Sequence, residues 1–263
     1  MAREAILTEV RGNVAFITLN RPDVLNSFDR AMARELQGVL DGHAAHADVR
    51  ALVLTGAGRA FCAGQDLVEV VPPDGSKGPD VAEVVAESYN PLVLRLAALE
   101  KPVVCAVNGV AAGAGANLAL ACDFVLAAKN ASFIQSFVNI GLVPDSGGTF
   151  FLPRLVGLAR AKMLTMLGDR LSAEQALAFG LLHAVHEPDK LMAEAEALAV
   201  RLAAMPTLAL GLTKRALHAS LDATLEKQLE LERALQGVAS KSHDYREGVK
   251  AFQEKRKPKF TGR

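Results

Sequence analysis

The sequence predicts an α/β fold with a helical C-terminal end. Short apolar runs that end at glycine turns are typical of buried strands, segments of helical period separate them, and the last third is helical throughout. The chain has 263 residues, 51% of them hydrophobic and 22% charged, which suffices to bury a sizeable core. We expect a core domain over residues 1–200 and a helical region over residues 201–263.

The N-terminal elements begin as strands. Residues 5–10 and 14–19 flank a turn at Gly12 and predict a β-hairpin. A helical pattern begins at Phe28, and the uncharged run 51–55 is typical of a strand covered on both faces. The helix predicted from Phe28 carries Met32, Leu36, Val39 and Leu40 on one face.

The middle of the chain alternates loops, helices and strands. Residues 71–80 are rich in proline and glycine and predict a loop, followed by a helix to about Leu99 that is disturbed near Asn90 and Pro91. The apolar runs then predict strands at 103–107 and 124–128, with a helix over 116–121 between them. Ser172 and Gln175 predict a capping box for a helix over 173–179.

Composition excludes several classes of protein. The 29 basic and 29 acidic residues balance, which gives no reason to expect a nucleic-acid partner. Three cysteines favour a reducing cytoplasm over a disulfide scaffold, and no Cys/His spacing suggests a metal site. The N-terminus resembles no signal peptide. Residues 102–122 lack charge but contain Asn108, Asn117 and three glycines, which favours a buried strand and helix over a membrane span.

Three glycine-rich turns are candidates for chemistry, at residues 61–66, 113–118 and 141–149. The second departs from a dinucleotide-binding loop, since Leu118 replaces its third glycine. A glycine turn that opens a helix exposes backbone N–H groups, and two such turns brought together could hold an oxyanion. Taken alone, the second turn is better explained by close packing of a strand and a helix.

Asp145 follows an uncharged stretch over residues 133–144. Spacing alone favours a helix cap for this side chain, since aspartate is a preferred N-cap and a helix is predicted from Ser146. The alternative is a carboxylate in an apolar pocket, suited to taking and returning a proton. We expect Cys62 to be a small buried residue, since no nearby histidine would activate it as a nucleophile.

Five segments, taken together, resemble the crotonase, or enoyl-CoA hydratase/isomerase, superfamily. The matching segments are residues 25–27, 60–67 (Ala-Phe-Cys-Ala-Gly-Gln-Asp-Leu), 101–109, 113–123 and 141–154. They lie in order, and the likeness covers nearly the whole chain, from residues 17–22 to residues 252–257. The resemblance implies a spiral of ββα units, C-terminal helices that form trimers or hexamers, an acyl-CoA substrate, and no cofactor beyond the CoA of that substrate.

The resemblance also assigns roles to individual residues. The backbone N–H groups of Ala63 and Ala114 match the family's oxyanion hole, which would hold the thioester oxygen as it becomes an enolate. Positions that match the family's CoA channel are Arg21, Val24, Leu25, Ala60, Gln65, Asp66 and Leu67. Phe252 and Lys255 match positions that approach CoA from the tail, in the same or a neighbouring subunit.

Two departures from the hydratase pattern point to isomerisation. Asn117 and Phe137 occupy the places of the two glutamates with which hydratases activate water, and neither can act as a base. Asp145 stands where related isomerases carry a catalytic aspartate, and Asn117 could orient the substrate or Asp145. One carboxylate suffices to move a proton between two carbons.

Within the superfamily, residues 113–123 and 141–149 are most similar to isomerases of phenylacetate degradation. These convert the ring-1,2-epoxide of phenylacetyl-CoA to its oxepin isomer and shift 3-enoyl-CoA double bonds to the 2-position. A hydratase or another acyl-CoA lyase of the same fold is the alternative. The basic tail with Phe252 and Lys255 leaves a third hypothesis, a crotonase-fold RNA-binding or scaffold protein.

Overall fold

The computed structural model describes residues 4–263, within which ten strands form two sheets. The strands are β1 (Ile6–Arg11), β2 (Val14–Leu19), β3 (Ala51–Gly56), β4 (Ala60–Cys62), β5 (Val103–Val107), β6 (Val110–Ala112), β7 (Phe124–Ala128), β8 (Ser132–Ile134), β9 (Arg170–Ser172) and β10 (Ala184–His186). The helices are α1 (Arg30–Ala45), α2 (Leu67–Val70), α3 (Val81–Val84), α4 (Asn90–Ala98), α5 (Ala114–Leu120), α6 (Gly148–Val156), α7 (Leu158–Leu167), α8 (Ala173–Phe179), α9 (Leu191–Ala203), α10 (Thr207–Ala219), α11 (Leu225–Ala239) and α12 (His243–Gln253).

The six-stranded sheet has the order β1-β2-β3-β5-β7-β10. The predicted hairpin is confirmed, with Arg11 opposite Val14 at the turn, and the other neighbours in this sheet run parallel. Strands β3 and β5 are buried along their whole length, and α9 packs against both. This burial explains why their sequences are continuous apolar runs and do not alternate.

The small sheet has the order β4-β6-β8-β9 and places the glycine turns that follow β4 and β6 next to each other. In each of the pairs β3/β4, β5/β6 and β7/β8, the first strand lies in the large sheet and the second in the small one. Strands β4, β6 and β8 are parallel neighbours, so their carboxyl ends lie at one edge. Residues 62–66, residue 113 and residues 135–140 leave the sheet at this edge, where ligands commonly bind in parallel sheets.

Two predicted helices differ from expectation. The helix predicted over 116–121 begins at Ala114, directly after Gly113, which adopts φ +51° and ψ −125°. The helix expected up to Leu99 is divided into α3, a π-helical turn over Val85–Tyr89, and α4. Pro91 has no N–H to continue the α-helical bonding, which explains the disturbance predicted at this point.

Arg50, which precedes β3, ties the C-terminal region to the core. The guanidinium of Arg50 donates to Thr207 Oγ1 and to the carbonyl of Phe260, each at 2.9 Å. Within the C-terminal region, buried Asp244 of α12 accepts from the N–H groups of Thr261 and Gly262, each at 2.7 Å, and so fixes the tail against this helix. The boundary predicted after residue 200 falls inside α9, and the division into two parts stays a prediction.

No single helix within residues 4–263 is long and apolar enough to cross a membrane. Helices α9 and α10 meet the length and composition criteria only as a pair, and they meet at an angle of 102°. The uncharged stretch 102–122 forms the predicted buried strand and helix, β5 and α5, and also β6, which was not predicted, with its side chains mostly buried.

Candidate active site

The two glycine turns that the sequence could not bring together lie against each other. A Cβ placed on Gly64 would lie 3.6 Å from the backbone nitrogen of Ala114, and one placed on Gly115 would lie 2.7 Å from Cys62 Sγ. The turn after β4 therefore touches the first turn of α5, and only residues without side chains permit this distance. The two backbone segments therefore present their N–H groups at the same edge of the small sheet.

The hydrogen bonds of these turns correct one predicted donor. The N–H of Ala63 donates to the carbonyl of Leu25 at 3.0 Å, so it is not free to hold an oxyanion. Across residues 4–263, no acceptor lies against the N–H of Gln65 or of Ala114. The geometry thus keeps Ala114 as a candidate donor and replaces Ala63 with Gln65, two residues along the turn.

Asp145 lies in the turn before α6. Its main-chain carbonyl accepts from Asn117 Nδ2 and from the N–H of Gly148, each at 2.8 Å. The helix begins at Gly148, with Gly147 as its N-cap and no side-chain cap. The prediction that Asp145 caps this helix is therefore wrong, because the helix starts too late for its carboxylate to reach the free N–H groups.

The carboxylate of Asp145 is half-buried and lacks an ion-pair partner among residues 4–263. Burial raises its pKa above the usual aspartate value, and a hydrogen bond from Ser146 Oγ at 2.7 Å opposes the rise. A carboxylate in this environment is a better base than an exposed one, since loss of hydration favours its protonated form.

Asn117 links α5 to the Asp145 turn. Its side chain is fully buried, and while its Nδ2 holds Asp145, its Oδ1 accepts from Gln135 Nε2 at 2.8 Å. A side chain on Gly148 would collide with the Asn117 amide, so the glycine is required at this position. This geometry gives Asn117 the role of orienting the Asp145 backbone, one of the two functions the sequence left open. Buried Phe137 packs over Gly113, at the edge of the same site.

Tyr89 is a site residue that the sequence reasoning missed. Its hydroxyl donates to Gln65 Oε1 at 2.6 Å, and Gln65 Nε2 donates to Glu69 Oε2 at 2.9 Å. Burial, and then the nearby Cys62 and Asp145, raise the pKa of the Tyr89 hydroxyl, so it stays a donor. The only signal was the disturbed helix near Pro91, where the π-helical turn places Tyr89 in the site.

We expect Tyr89→Phe to lower kcat about threefold to tenfold with little change in KM, since one hydrogen bond that fixes Gln65 is lost. Steady-state kinetics on a CoA-thioester substrate would measure the change. Tyr245→Phe, at an exposed position, is the matched control. An unchanged kcat in Tyr89→Phe would show that the Gln65 side chain does not position the turn.

The residues matched to a CoA channel differ in how open they are to a ligand. Val24 and Leu67 are exposed beside the turn after β4, as a channel wall requires, and Leu25 is only half-buried. Arg21 instead forms ion pairs with Asp66 at 2.9 Å and Asp29 at 3.2 Å, so its charge is already neutralised.

The structure contradicts a channel role for Ala60. It is 1% exposed, and its carbonyl accepts from Asn26 Nδ2 at 2.8 Å. Its place inside β4 therefore leaves neither its side chain nor its carbonyl open to a ligand.

Phe252 and Lys255 lie at the end of α12. Phe252 is 85% exposed and borders a groove between the C-terminal helices, beside Pro206 and Phe260. Their role in binding CoA stays a prediction. Cys62 is fully buried, as predicted, and burial raises the pKa of its thiol to about 12, which favours the neutral thiol.

Nothing within the described residues 4–263 assembles three or more His, Cys, Asp or Glu side chains that could hold a metal ion. The site presents the carboxylate of Asp145, the backbone N–H groups of Gln65 and Ala114, and the neutral side chains of Asn117, Tyr89 and Ser146. Such a set can remove and return a proton beside a developing negative charge.

Comparison with known proteins identifies the family of the chain. The family model described as enoyl-CoA hydratase/isomerase matches residues 9–263. The chain is 51% identical to the 1,2-epoxyphenylacetyl-CoA isomerase of Escherichia coli K12 over 261 residues, 99% of each chain. It is 47% identical to a protein of Rhodobacter capsulatus named probable enoyl-CoA hydratase, over all of both chains.

A solved structure shows the same architecture. The enoyl-CoA hydratase of Bacillus anthracis superposes with a TM-score of 0.93 at 35% identity, and the match covers 99% of this chain and 100% of that one. The predicted crotonase fold, with its ββα units and C-terminal helices, is confirmed. From the family model, the relatives and the fold together, the chain belongs to the enoyl-CoA hydratase/isomerase family.

Proposed function

We propose that this protein is an isomerase of acyl-CoA thioesters that uses Asp145 as its acid and base. One observation carries the proposal. Asp66 and Glu69, the other carboxylates near the turns, are paired with Arg21 and Arg30, whereas Asp145 is half-buried without such a partner. Hydratases of the family use two glutamates, and here Asn117 and Phe137 occupy those places.

The proposed reaction moves one proton within the substrate. Asp145 removes a proton from C2 of a 3-enoyl-CoA, and the electrons of that C–H bond pass into the dienolate and its thioester oxygen. The N–H groups of Gln65 and Ala114 donate to that oxygen. The protonated Asp145 then returns the proton to C4, which leaves the double bond at C2–C3. No further cofactor is required.

The finer proposal concerns the acyl group. Identity of 51% to a 1,2-epoxyphenylacetyl-CoA isomerase supports conversion of ring-1,2-epoxyphenylacetyl-CoA to its oxepin isomer. The double-bond shift from 3-enoyl-CoA to 2-enoyl-CoA needs the same base and the same oxyanion donors. We therefore propose both as activities of one site.

Hydration is the second candidate, favoured by the hydratase name of the R. capsulatus relative. Adding water to crotonyl-CoA requires a group that activates the water. Asn117 is committed to Asp145 and Gln135, and Phe137 has no polar atom, so neither position supplies that group.

The test is a pair of assays on the purified protein. We expect rapid conversion of 3-enoyl-CoA to 2-enoyl-CoA, and hydration of crotonyl-CoA at least about 100-fold slower, because the second base is missing. Comparable rates of both reactions would contradict the proposal in favour of a hydratase. Turnover of the ring epoxide, followed by the absorbance of the oxepin product, would establish the finer substrate.

We further propose that the chain assembles into trimers, alone or paired as hexamers. Exposed apolar side chains support a further interface, among them Leu158, Met166 and Leu167 on α7 and Leu225 and Leu229 on α11. Light scattering would measure the mass of the particle in solution. A monomer at micromolar concentration would contradict the proposal.

A further inference from the structure

Ser146 holds an unfavourable backbone conformation next to the proposed base. Its φ is +52°, in the left-handed region that residues with a Cβ seldom occupy, and Gly147 follows with φ +75°. Glycine would adopt this conformation at a lower cost. The serine side chain must therefore supply something that glycine would not.

The hydroxyl of Ser146 has one hydrogen-bond partner, the carboxylate of its neighbour. Ser146 is 2% exposed, and its Oγ donates to Asp145 Oδ1 at 2.7 Å. Asn117 reaches the same turn from α5, but it holds only the main-chain carbonyl of Asp145. Within residues 4–263, Ser146 is thus the one side chain that donates to this carboxylate, and it leaves Oδ2 without a donor.

Few other charged or titratable groups affect Asp145 from the elements around it. Tyr89 faces it from the π-helical turn and donates its hydroxyl to Gln65. The side chains of Phe151 and Val93 close on Gly147 in the same turn and are apolar. The balance between the ionised and protonated forms of Asp145 is therefore set by burial on one side and by the Ser146 hydroxyl on the other.

We infer that Ser146 is a positioning residue for the proton transfer: its hydroxyl engages Oδ1 and leaves Oδ2 as the oxygen that takes the proton and returns it. This rests on the proposed function of Asp145 as the base. A proton confined to one oxygen is delivered to the same face of the substrate from which it was removed. The same bond favours the ionised carboxylate, which keeps the base active at lower pH than burial alone would allow.

The test is the pH dependence of kcat/KM for 3-enoyl-CoA isomerisation in wild type, Ser146→Ala and Ser146→Gly. Activity requires ionised Asp145, so kcat/KM rises with pH through the pKa of that group. Without the hydroxyl the pKa rises further, and the acid limb moves to higher pH. At a pH on that limb, we expect kcat/KM of the variants, as a fraction of their plateau, to be about fivefold to tenfold lower than that of wild type.

The two variants separate the hydrogen bond from the backbone. Ser146→Gly removes the hydroxyl and relieves the left-handed strain, whereas Ser146→Ala removes the hydroxyl and keeps the strain. If the acid limb shifts equally in both variants, the loss of the hydroxyl is the cause. Thr149→Val, which removes an exposed hydroxyl from the first turn of α6, should leave the profile unchanged. Circular dichroism would confirm that each variant is folded.

An acid limb that stays in place in both Ser146 variants would overturn the inference, whether or not the plateau falls. That outcome is distinguishable from failure of the proposed function. If Asp145 is not the base, Asp145→Asn retains activity. If only the role of Ser146 is wrong, Asp145→Asn is inactive, but the acid limb of the Ser146 variants does not move.

Discussion

Asp145→Asn should lower kcat for isomerisation by roughly 1,000-fold, within the range that general acid–base catalysis contributes. The amide keeps the size of the side chain, and Asn117 and Gly148 bind only the main chain of residue 145. The turn should therefore keep its shape while the proton acceptor is lost. Binding of the CoA thioester should change little, because the oxyanion donors and the channel are untouched.

The measurement is kcat and KM with a 3-enoyl-CoA, together with calorimetric binding of a CoA thioester that cannot react. Asp189→Asn, a charge loss at an exposed position paired with Lys190, is the control. Turnover within tenfold of wild type would place the base elsewhere. A loss of binding equal to the loss of kcat would indicate a structural role for Asp145.

Gly115→Ala should lower kcat about 100-fold to 1,000-fold, the cost of losing an oxyanion donor. The added methyl group would lie 2.7 Å from both Cβ and Sγ of Cys62, nearer than carbon and sulfur atoms can approach. Helix α5 must then move away from the turn after β4. Because the N–H groups of Gln65 and Ala114 belong to those two segments, they can no longer face one oxygen.

The same substitution should also reduce the free energy of unfolding by about 1–3 kcal/mol, as overpacking of a core does. Gly237→Ala in α11, where a Cβ meets nothing within 4 Å, is the matched control and should be neutral or slightly stabilising. Thermal unfolding and kinetics on the folded fraction separate the two effects. Normal kcat in folded Gly115→Ala would mean that the two turns do not form the oxyanion hole.

Sequence patterns predicted the elements whose signals are local. The hairpin of β1 and β2, the buried strands β3 and β5, and the capping box of Ser172 and Gln175 all form as expected. Each is determined by the burial period or by hydrogen bonds between residues close in the chain. The turn at Asp145 was harder to predict from the sequence, because two residues in the left-handed region, Ser146 and Gly147, precede α6 and move its start to Gly148.

The sequence by itself determined the family and the loss of both hydratase glutamates, since these depend only on which residue stands at Asn117, Phe137 and Asp145. Tertiary structure alone decided which backbone N–H groups are free. Leu25 takes the donor of Ala63 from 38 positions earlier in the chain, and the parallel order of β4 and β6 brings Gln65 beside Ala114. Hydrogen bonds between distant segments follow from strand order, and no local pattern encodes that order.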